Sequence, residues 1–278
     1  MRVGSTPADR GVGEIPIVET LPESVVDLFG LLTRLGDPVT LLLVVAAGYL
    51  LADHLGVSSA RMATALALAL GGLTATLALK HAFALPRPPG AGTDGYGFPS
   101  GHAMGATVVY GGIAALFDDD RLSAAAAVLI VIVAASRVVI GVHYLVDVAV
   151  GVAVGAGYVA AGLRVGPGRS PERVTAAETG RTFALAVAVG LAGLATAVVT
   201  DTVVAAAAAA GGWIGWRTGA DRVTDATPST RRLAASLALI PGVVVAVLVL
   251  DGGVTLPVAG GLAGGTVALI LVIPGLAD

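Results

Sequence analysis

The chain has 278 residues, 56% hydrophobic and 13% charged, with a formal net charge of −3 and a mean hydropathy of +0.90. That composition excludes an ordinary soluble globular domain and predicts an all-α, multi-spanning membrane helix bundle. With no cysteine, disulfides and thiolate chemistry are excluded as well.

In chain order, the opening "MRVGSTPADRGVGEIP" lacks the apolar stretch of a cleaved signal peptide. Residues 22–36, "PESVVDLFGLLTRLG", read as a short amphipathic helix that carries Asp27 and Arg34. This helix is expected to lie in the interface rather than to cross. Crossing takes roughly 20 mostly apolar residues. Uncharged or nearly uncharged runs follow at 38–52, 62–79, 100–117, 122–136, 143–163, 182–200, 202–216, 233–250 and 252–273. They predict about nine transmembrane helices. The expected organisation is an N-terminal arm and interfacial helix (1–37), a catalytic bundle (38–164), a cytoplasmic loop (165–181) and a C-terminal four-helix membrane region (182–278). The Gly and Ala spacing of that last region predicts tight packing, either on the core or on a second copy of the chain as a homo-oligomer.

Basic residues orient the bundle. Arg164, Arg169, Arg173 and Arg181 share one loop, and Arg217, Arg222, Arg231 and Arg232 share another, two spans away. Both loops therefore fall on one side, taken as cytoplasmic, with Arg61 and Arg121. The turns at Asp201 and Asp251 face the other way. Beyond the N-terminal arm, the outer side keeps only Lys80, Arg87 and Arg137 as cations, and Lys80 is the one lysine against fifteen arginines. Cations placed against the charge bias imply an anion to be held there.

Three stretches converge on that side: "KHAFALPRP" from Lys80, "PSGH" from Pro99, and "SRVVIGVHYLVDV" from Ser136. Lys80 supplies a point charge, while Arg87 and Arg137 supply planar forks suited to phosphate oxygens. Ser100 and Gly101 open a helix, where free backbone N–H groups point at anions. His143 and Asp147 stand at i and i+4, so the carboxylate can orient the imidazole and leave its other nitrogen free to attack. His102 remains as a proton donor. Taken singly, each feature has a plain structural reading: a snorkelling cation, an ordinary helix cap, a helix-stabilising His–Asp contact or half of a metal site. Gathered on one side, they form an inventory for phosphoryl transfer through a phosphohistidine.

The patterns K-x₆-R-P, P-S-G-H and S-R-x₅-H-x₃-D resemble the three-part signature of the type 2 phosphatidic acid phosphatase (lipid phosphate phosphatase) superfamily. They are filled here by Lys80, Arg87 and Pro88, by Pro99 to His102, and by Ser136, Arg137, His143 and Asp147, within about residues 38 to 164. The resemblance implies that Lys80, Arg87, Ser100, Gly101 and Arg137 hold phosphate. It also implies that His143 attacks phosphorus, Asp147 orients it and His102 protonates the departing oxygen, with no metal or other cofactor. Members of that family usually place three spans ahead of the P-S-G-H helix, whereas only two are counted here. The expected activity is hydrolysis of a lipid phosphate or diphosphate at the outer leaflet of the cell membrane. The expected partners are that substrate and membrane lipids, not nucleic acid. A lipid phosphotransferase, a halide-oxidising relative that binds vanadate, and a non-catalytic lipid-phosphate transporter are the competing readings.

Other residues are not assigned to the site. His81 is expected to pack, His54 to be solvated and Asp118 to Asp120 to form a turn. Tyr96 and Phe98 either line a substrate entrance or pack the loop.

Overall fold

The structure, a computed structural model, describes residues 20–93, 95–168, 174–224, 234 and 254–272. Among these it is helical, with no strand. We number the helices α1 (Glu23–Leu32), α2 (Pro38–Leu50), α3 (Ser59–Phe83), α4 (Gly101–Phe117), α5 (Asp120–Val139), α6 (Leu145–Val165), α7 (Ala176–Thr196), α8 (Thr200–Thr224) and α9 (Leu256–Val272). Four of them, α3, α5, α6 and α7, are long and apolar enough to cross a membrane. A fifth crossing results if α1 and α2, bent by 47° at their junction, act as one broken span.

The described residues thus hold four to five full-length spans, where the uncharged runs predicted about nine. Among the described residues the runs at 38–52, 100–117 and 252–273 form helices of 13, 17 and 17 residues, below or at the lower end of what a straight crossing takes. The run at 233–250 lies outside the described residues apart from Ala234, as do Arg169, Arg173, Arg231, Arg232, Asp251 and the N-terminal arm to residue 19. Helix boundaries also pass through charge. The Thr175–Glu178 capping box starts α7 inside the expected loop 165–181, and α8 runs on past Arg217 and Arg222.

Side-chain caps fix several helix starts. The Ser58 hydroxyl accepts from the Arg61 N–H, and the Asp119 carboxylate accepts from Arg121 and Leu122. Asp118 to Asp120 are thus the turn and cap of α5. Helix α4 carries a π-helical segment at Thr107–Gly111, where the Thr107 hydroxyl donates to the Ala103 carbonyl at 2.8 Å.

Helix α3 is the centre of the molecule. Its apolar window is 72% buried, against 22% to 33% for the other three long spans. The C-terminal helices pack directly on it. A Cβ at Gly190 of α7 would sit 3.6 Å from Thr74, one at Gly71 would sit 3.1 Å from the Ala186 backbone, and one at Gly212 would meet Phe183 and Leu70. Between α8 and α9 the backbones touch. Added Cβ atoms at Gly211 and Gly215 would strike the backbones of Gly264 and Ala268, so only small residues permit this approach. The predicted tight packing is therefore found within the chain, against the core.

Candidate active site

One end of the bundle gathers the C-termini of α3 and α5 with the N-termini of α2, α4 and α6. Lys80 lies in the last turn of α3, and the Ala84 N–H closes that turn on the Lys80 carbonyl at 2.9 Å. Past it the chain folds back on itself, with the Gly97 N–H donating to the Leu85 carbonyl at 2.8 Å. A Cβ at Gly97 would lie 2.7 Å from the Pro86 oxygen, so glycine is what lets this loop shut. Lys80 Nζ donates to the Tyr96 carbonyl at 2.5 Å. His81 and Phe83 take Tyr96 and Phe98 edge-on, with ring centroids 5.4 and 5.1 Å apart. The aromatic pair therefore packs the loop that presents Arg87.

Arg87 meets the turn between α5 and α6. Its Nη1 donates to the Val142 carbonyl at 3.2 Å and to His143 Nε2 at 3.0 Å. A guanidinium has no acceptor, so the Nε2 lone pair must face Arg87 and the ring proton must sit on Nδ1. Nδ1 lies 3.6 Å from Asp147 Oδ2, within ion-pair range but just beyond a hydrogen bond. The same Oδ2 accepts from the Tyr144 N–H at 3.1 Å, which anchors the carboxylate at the start of α6. Gly141, at φ +74°, allows the turn to bring His143 back over Arg137, whose carbonyl accepts the His143 N–H. Burial, joined by Arg87, Arg137 and Lys80, lowers the His143 pKa to about 4 against the opposing pull of Asp147. Its imidazole is neutral at pH 7. Burial also lowers the Arg87 pKa, with Asp147 opposing.

His102, in the first turn of α4, makes a contact that sequence reasoning missed. Its Nε2 is 2.7 Å from Asp37 Oδ1, at the bend between α1 and α2. Arg137 Nη1 donates to the Thr33 hydroxyl, also at 2.7 Å. Residues 22–36 therefore do more than rest in the interface, since their last turn touches the site. Gly36 makes this fit possible: a Cβ there would lie 2.5 Å from Val133 and 3.2 Å from His102. A carboxylate directly before the apolar run at 38–52 reads in sequence as a span boundary, so only the fold reveals its partner.

The P-S-G-H turn also differs from expectation in one respect. The Ser100 N–H is not directed at a ligand; it donates to the Asp147 carbonyl at 2.9 Å and ties α4 to α6. The Ser100 hydroxyl is fully buried and makes no hydrogen bond among the described residues. Gly101 brings α4 close to α3, because a Cβ there would lie 3.1 Å from Thr76 and 3.5 Å from Lys80.

Lys80, Arg87, Gly101, His102 and His143 line one open cavity of ≈ 190 Å³. Asp147, Ser100 and Arg137 are buried behind it. Below the charged mouth the walls turn apolar, with Leu41, Leu42, Leu73, Leu77, Val108 and Val109. Two imidazoles and two cations thus face a common space that continues into a greasy throat.

Residues 60–170 match the family model described as the PAP2 superfamily. They form a PAP2-superfamily domain. The matched segment begins in α3 and ends just past α6, so it contains all three signature stretches. It excludes Thr33, Asp37 and helices α7 to α9. Neither a curated protein nor a solved structure is similar enough to count as a match. PAP2 membership supports phosphatase-type activity in a membrane protein.

Proposed function

We propose that the chain is an integral membrane phosphatase that hydrolyses a lipid phosphate or diphosphate through a phosphohistidine. The observation that carries this reading is the His143 Nε2 lone pair directed at Arg87 across 3.0 Å. A neutral nucleophile and the cation that would hold its target share one point in space. When phosphate takes over the Arg87 donors, Nε2 is left facing phosphorus.

In the first step, the Nε2 lone pair forms an N–P bond while the P–O bond to the lipid breaks. His102 transfers a proton to the departing oxygen. In the second step, water adds to phosphorus, the N–P bond breaks, and His102 takes a proton from the water. Asp147 faces Nδ1, where positive charge collects as the bond to phosphorus forms. Lys80, Arg87 and Arg137 offset charge on the equatorial oxygens, where most catalysis of phosphoryl transfer arises. The chain's own cations thus supply the charge stabilisation, and no step calls for a metal. The apolar throat and the membrane spans favour a lipid over a soluble phosphomonoester. The charge bias of the loops supports a site on the extracytoplasmic side of the cell membrane.

The test is phosphate release by the purified chain, with chelator present, from phosphatidate, a polyprenyl diphosphate and a soluble phosphomonoester in parallel. Release from a lipid substrate that persists in chelator and disappears in His143→Ala is expected. Loss of activity on chelation would contradict the mechanism. Binding without release would identify a carrier.

A further inference from the structure

The far end of the bundle carries a second set of cations. Helices α7 and α8 run antiparallel there, and an open groove of ≈ 380 Å³ lies between them. Gly180, Arg181 and Ala184 line it from α7, and Trp213, Trp216 and Arg217 line it from α8. On each helix these residues recur at three- and four-residue intervals, so each set forms one face. The groove is remote from the phosphate site. Thr179 of α7 meets Thr64 of α3, and Lys80 follows Thr64 by sixteen residues, about 24 Å at 1.5 Å per residue. The groove also lies wholly outside the PAP2 match at residues 60–170.

We propose that this groove holds the phosphate group of an anionic phospholipid from the leaflet opposite the active site. Its two guanidiniums stand at one depth. Gly190 packs on Ala206 and Gly212 on Phe183, and this antiparallel register puts Arg217 across from residue 178 or 179, within about one helical turn of Arg181. Both side chains are held at the groove. Arg181 Nη2 donates to the Gly166 carbonyl at 3.2 Å, and the Arg217 guanidinium lies over the Trp213 ring, 5.1 Å from its centroid. Both remain exposed, and among the described residues Arg217 makes no ion pair. Glu178 lies 3.8 Å from Arg181, beyond hydrogen-bond distance, and its other oxygen accepts from the Thr175 N–H at 2.8 Å. The groove therefore stays net positive. The rest of its surface is apolar. Trp216 is buried and its Nε1 donates to the Ala176 carbonyl at 2.8 Å, so its indole has no donor left for a ligand. A Cβ at Gly180 would meet only Trp216, at 3.8 Å, which leaves the floor open to an alkyl chain. The uncharged runs 182–200 and 202–216 stop at Arg181 and Arg217, which puts both forks at headgroup level. Arginine forks beside tryptophan at a span boundary suit a phosphate with a tail attached, not a soluble anion. The bias of the basic loops makes this the cytoplasmic leaflet. No part of this depends on the phosphatase reading.

Trp213 and Trp216 are the only tryptophans in the sequence, so their emission reports on this groove. The full-length chain in nanodiscs is titrated with phosphatidylglycerol or phosphatidylcholine brominated near the headgroup end of the acyl chains, which quenches neighbouring indoles. Quenching should reach half its limit at a mole fraction about fivefold or more lower for phosphatidylglycerol, the scale of one interfacial arginine. Arg181→Gln combined with Arg217→Gln should abolish that preference. Gly180→Leu, which fills the floor without altering charge, should bring phosphatidylglycerol down to the level of phosphatidylcholine. Arg121→Gln removes an exposed arginine from the same end of the bundle but off the groove, and should keep the preference. Thermal unfolding in phosphatidylcholine alone should be unchanged in these variants, which separates lost binding from lost folding. Equal quenching by the two lipids in the unaltered chain would overturn the site whatever the variants do. An equal loss in Arg121→Gln would overturn it too, as general attraction to a basic face. Glycerol phosphate, which has the headgroup chemistry without tails, should not relieve the quenching, and relief would mean a soluble-anion site instead.

Discussion

At the scale of single residues, the site turns on which nitrogen carries which proton. Arg87 at 3.0 Å can only donate, so His143 Nε2 holds its lone pair toward Arg87, the proposed phosphate ligand. Removing that lone pair in His143→Ala should lower kcat by at least about 10³-fold, measured as phosphate release. Acid should be well tolerated. A pKa lowered to about 4 keeps the nucleophile neutral as pH falls through 6.5, and it is lost only as pH approaches the lowered value. In kcat/KM profiles for several substrates, the acid limb that stays fixed when the phosphate's own pKa changes should lie near pH 4. A fixed limb near 6.5 would mean an imidazole exposed to water. Asp37 acts one step back, as a positioning residue for His102. Asp37→Asn should slow lipid alkyl phosphates about tenfold or more, yet barely slow an aryl phosphate whose leaving group needs no proton. Equal slowing of both would reduce Asp37 to a structural contact.

The signature residues could be singled out because each is marked by its type and its spacing, and the structure brings Lys80, Arg87, His102 and His143 to one cavity with Asp147 behind His143. Asp37 and Thr33 were not legible. Their partners lie 65 and 104 residues away, and nothing local marks either of them. Nor could sequence tell that the Ser100 N–H serves the Asp147 carbonyl instead of an anion.

At the scale of elements, glycines decide how closely the active helices approach. A Cβ at Gly151 of α6 would sit 2.7 Å from the Ser100 carbonyl, and one at Gly155 would sit 2.9 Å from the Met104 carbonyl. These two residues press α6 against the turn that starts α4. Gly151→Leu should therefore push that turn out of register. The expected loss is about a hundredfold in kcat, the scale of a 1 Å misplacement, with about 1 to 3 kcal/mol of stability lost to overpacking. Gly157, on the same helix, meets nothing within 4 Å, and Gly157→Ala should leave both properties essentially unchanged. Rates and thermal unfolding of the two variants side by side provide the check, and similar behaviour would refute the close-approach explanation. Helix existence was readable from apolar runs, but helix ends were not. Counting uncharged residues stops at 216 and restarts at 182, whereas α8 continues to Thr224 and α7 begins at Ala176. Capping groups and the i→i−4 ladder extend helices through charge that only borders the membrane.

At the scale of the whole molecule, the PAP2 domain and the C-terminal helices share α3 as a common core. The Thr64 and Thr179 hydroxyls meet at 2.8 Å in the buried contact between α3 and α7, and the Tyr49 hydroxyl donates to the Leu271 carbonyl at 2.9 Å across α2 and α9. A chain truncated after residue 170 keeps every signature residue but exposes the α3 face that Phe183 and Ala186 cover. It should unfold at a markedly lower temperature and lose lipid phosphatase activity; an equally stable and active truncation would show the two parts to be independent.

Attack by His143 itself, with water entering only afterwards, is tested most directly by stereochemistry at phosphorus. A lipid phosphorothioate made chiral with heavy-oxygen isotopes, hydrolysed in water carrying the remaining isotope, reports how many in-line displacements occurred. Two displacements, through a phosphorylated His143, give net retention of configuration, and retention is the expected result. Inversion would mean that water attacks the lipid phosphate directly, and His143 would then be no nucleophile.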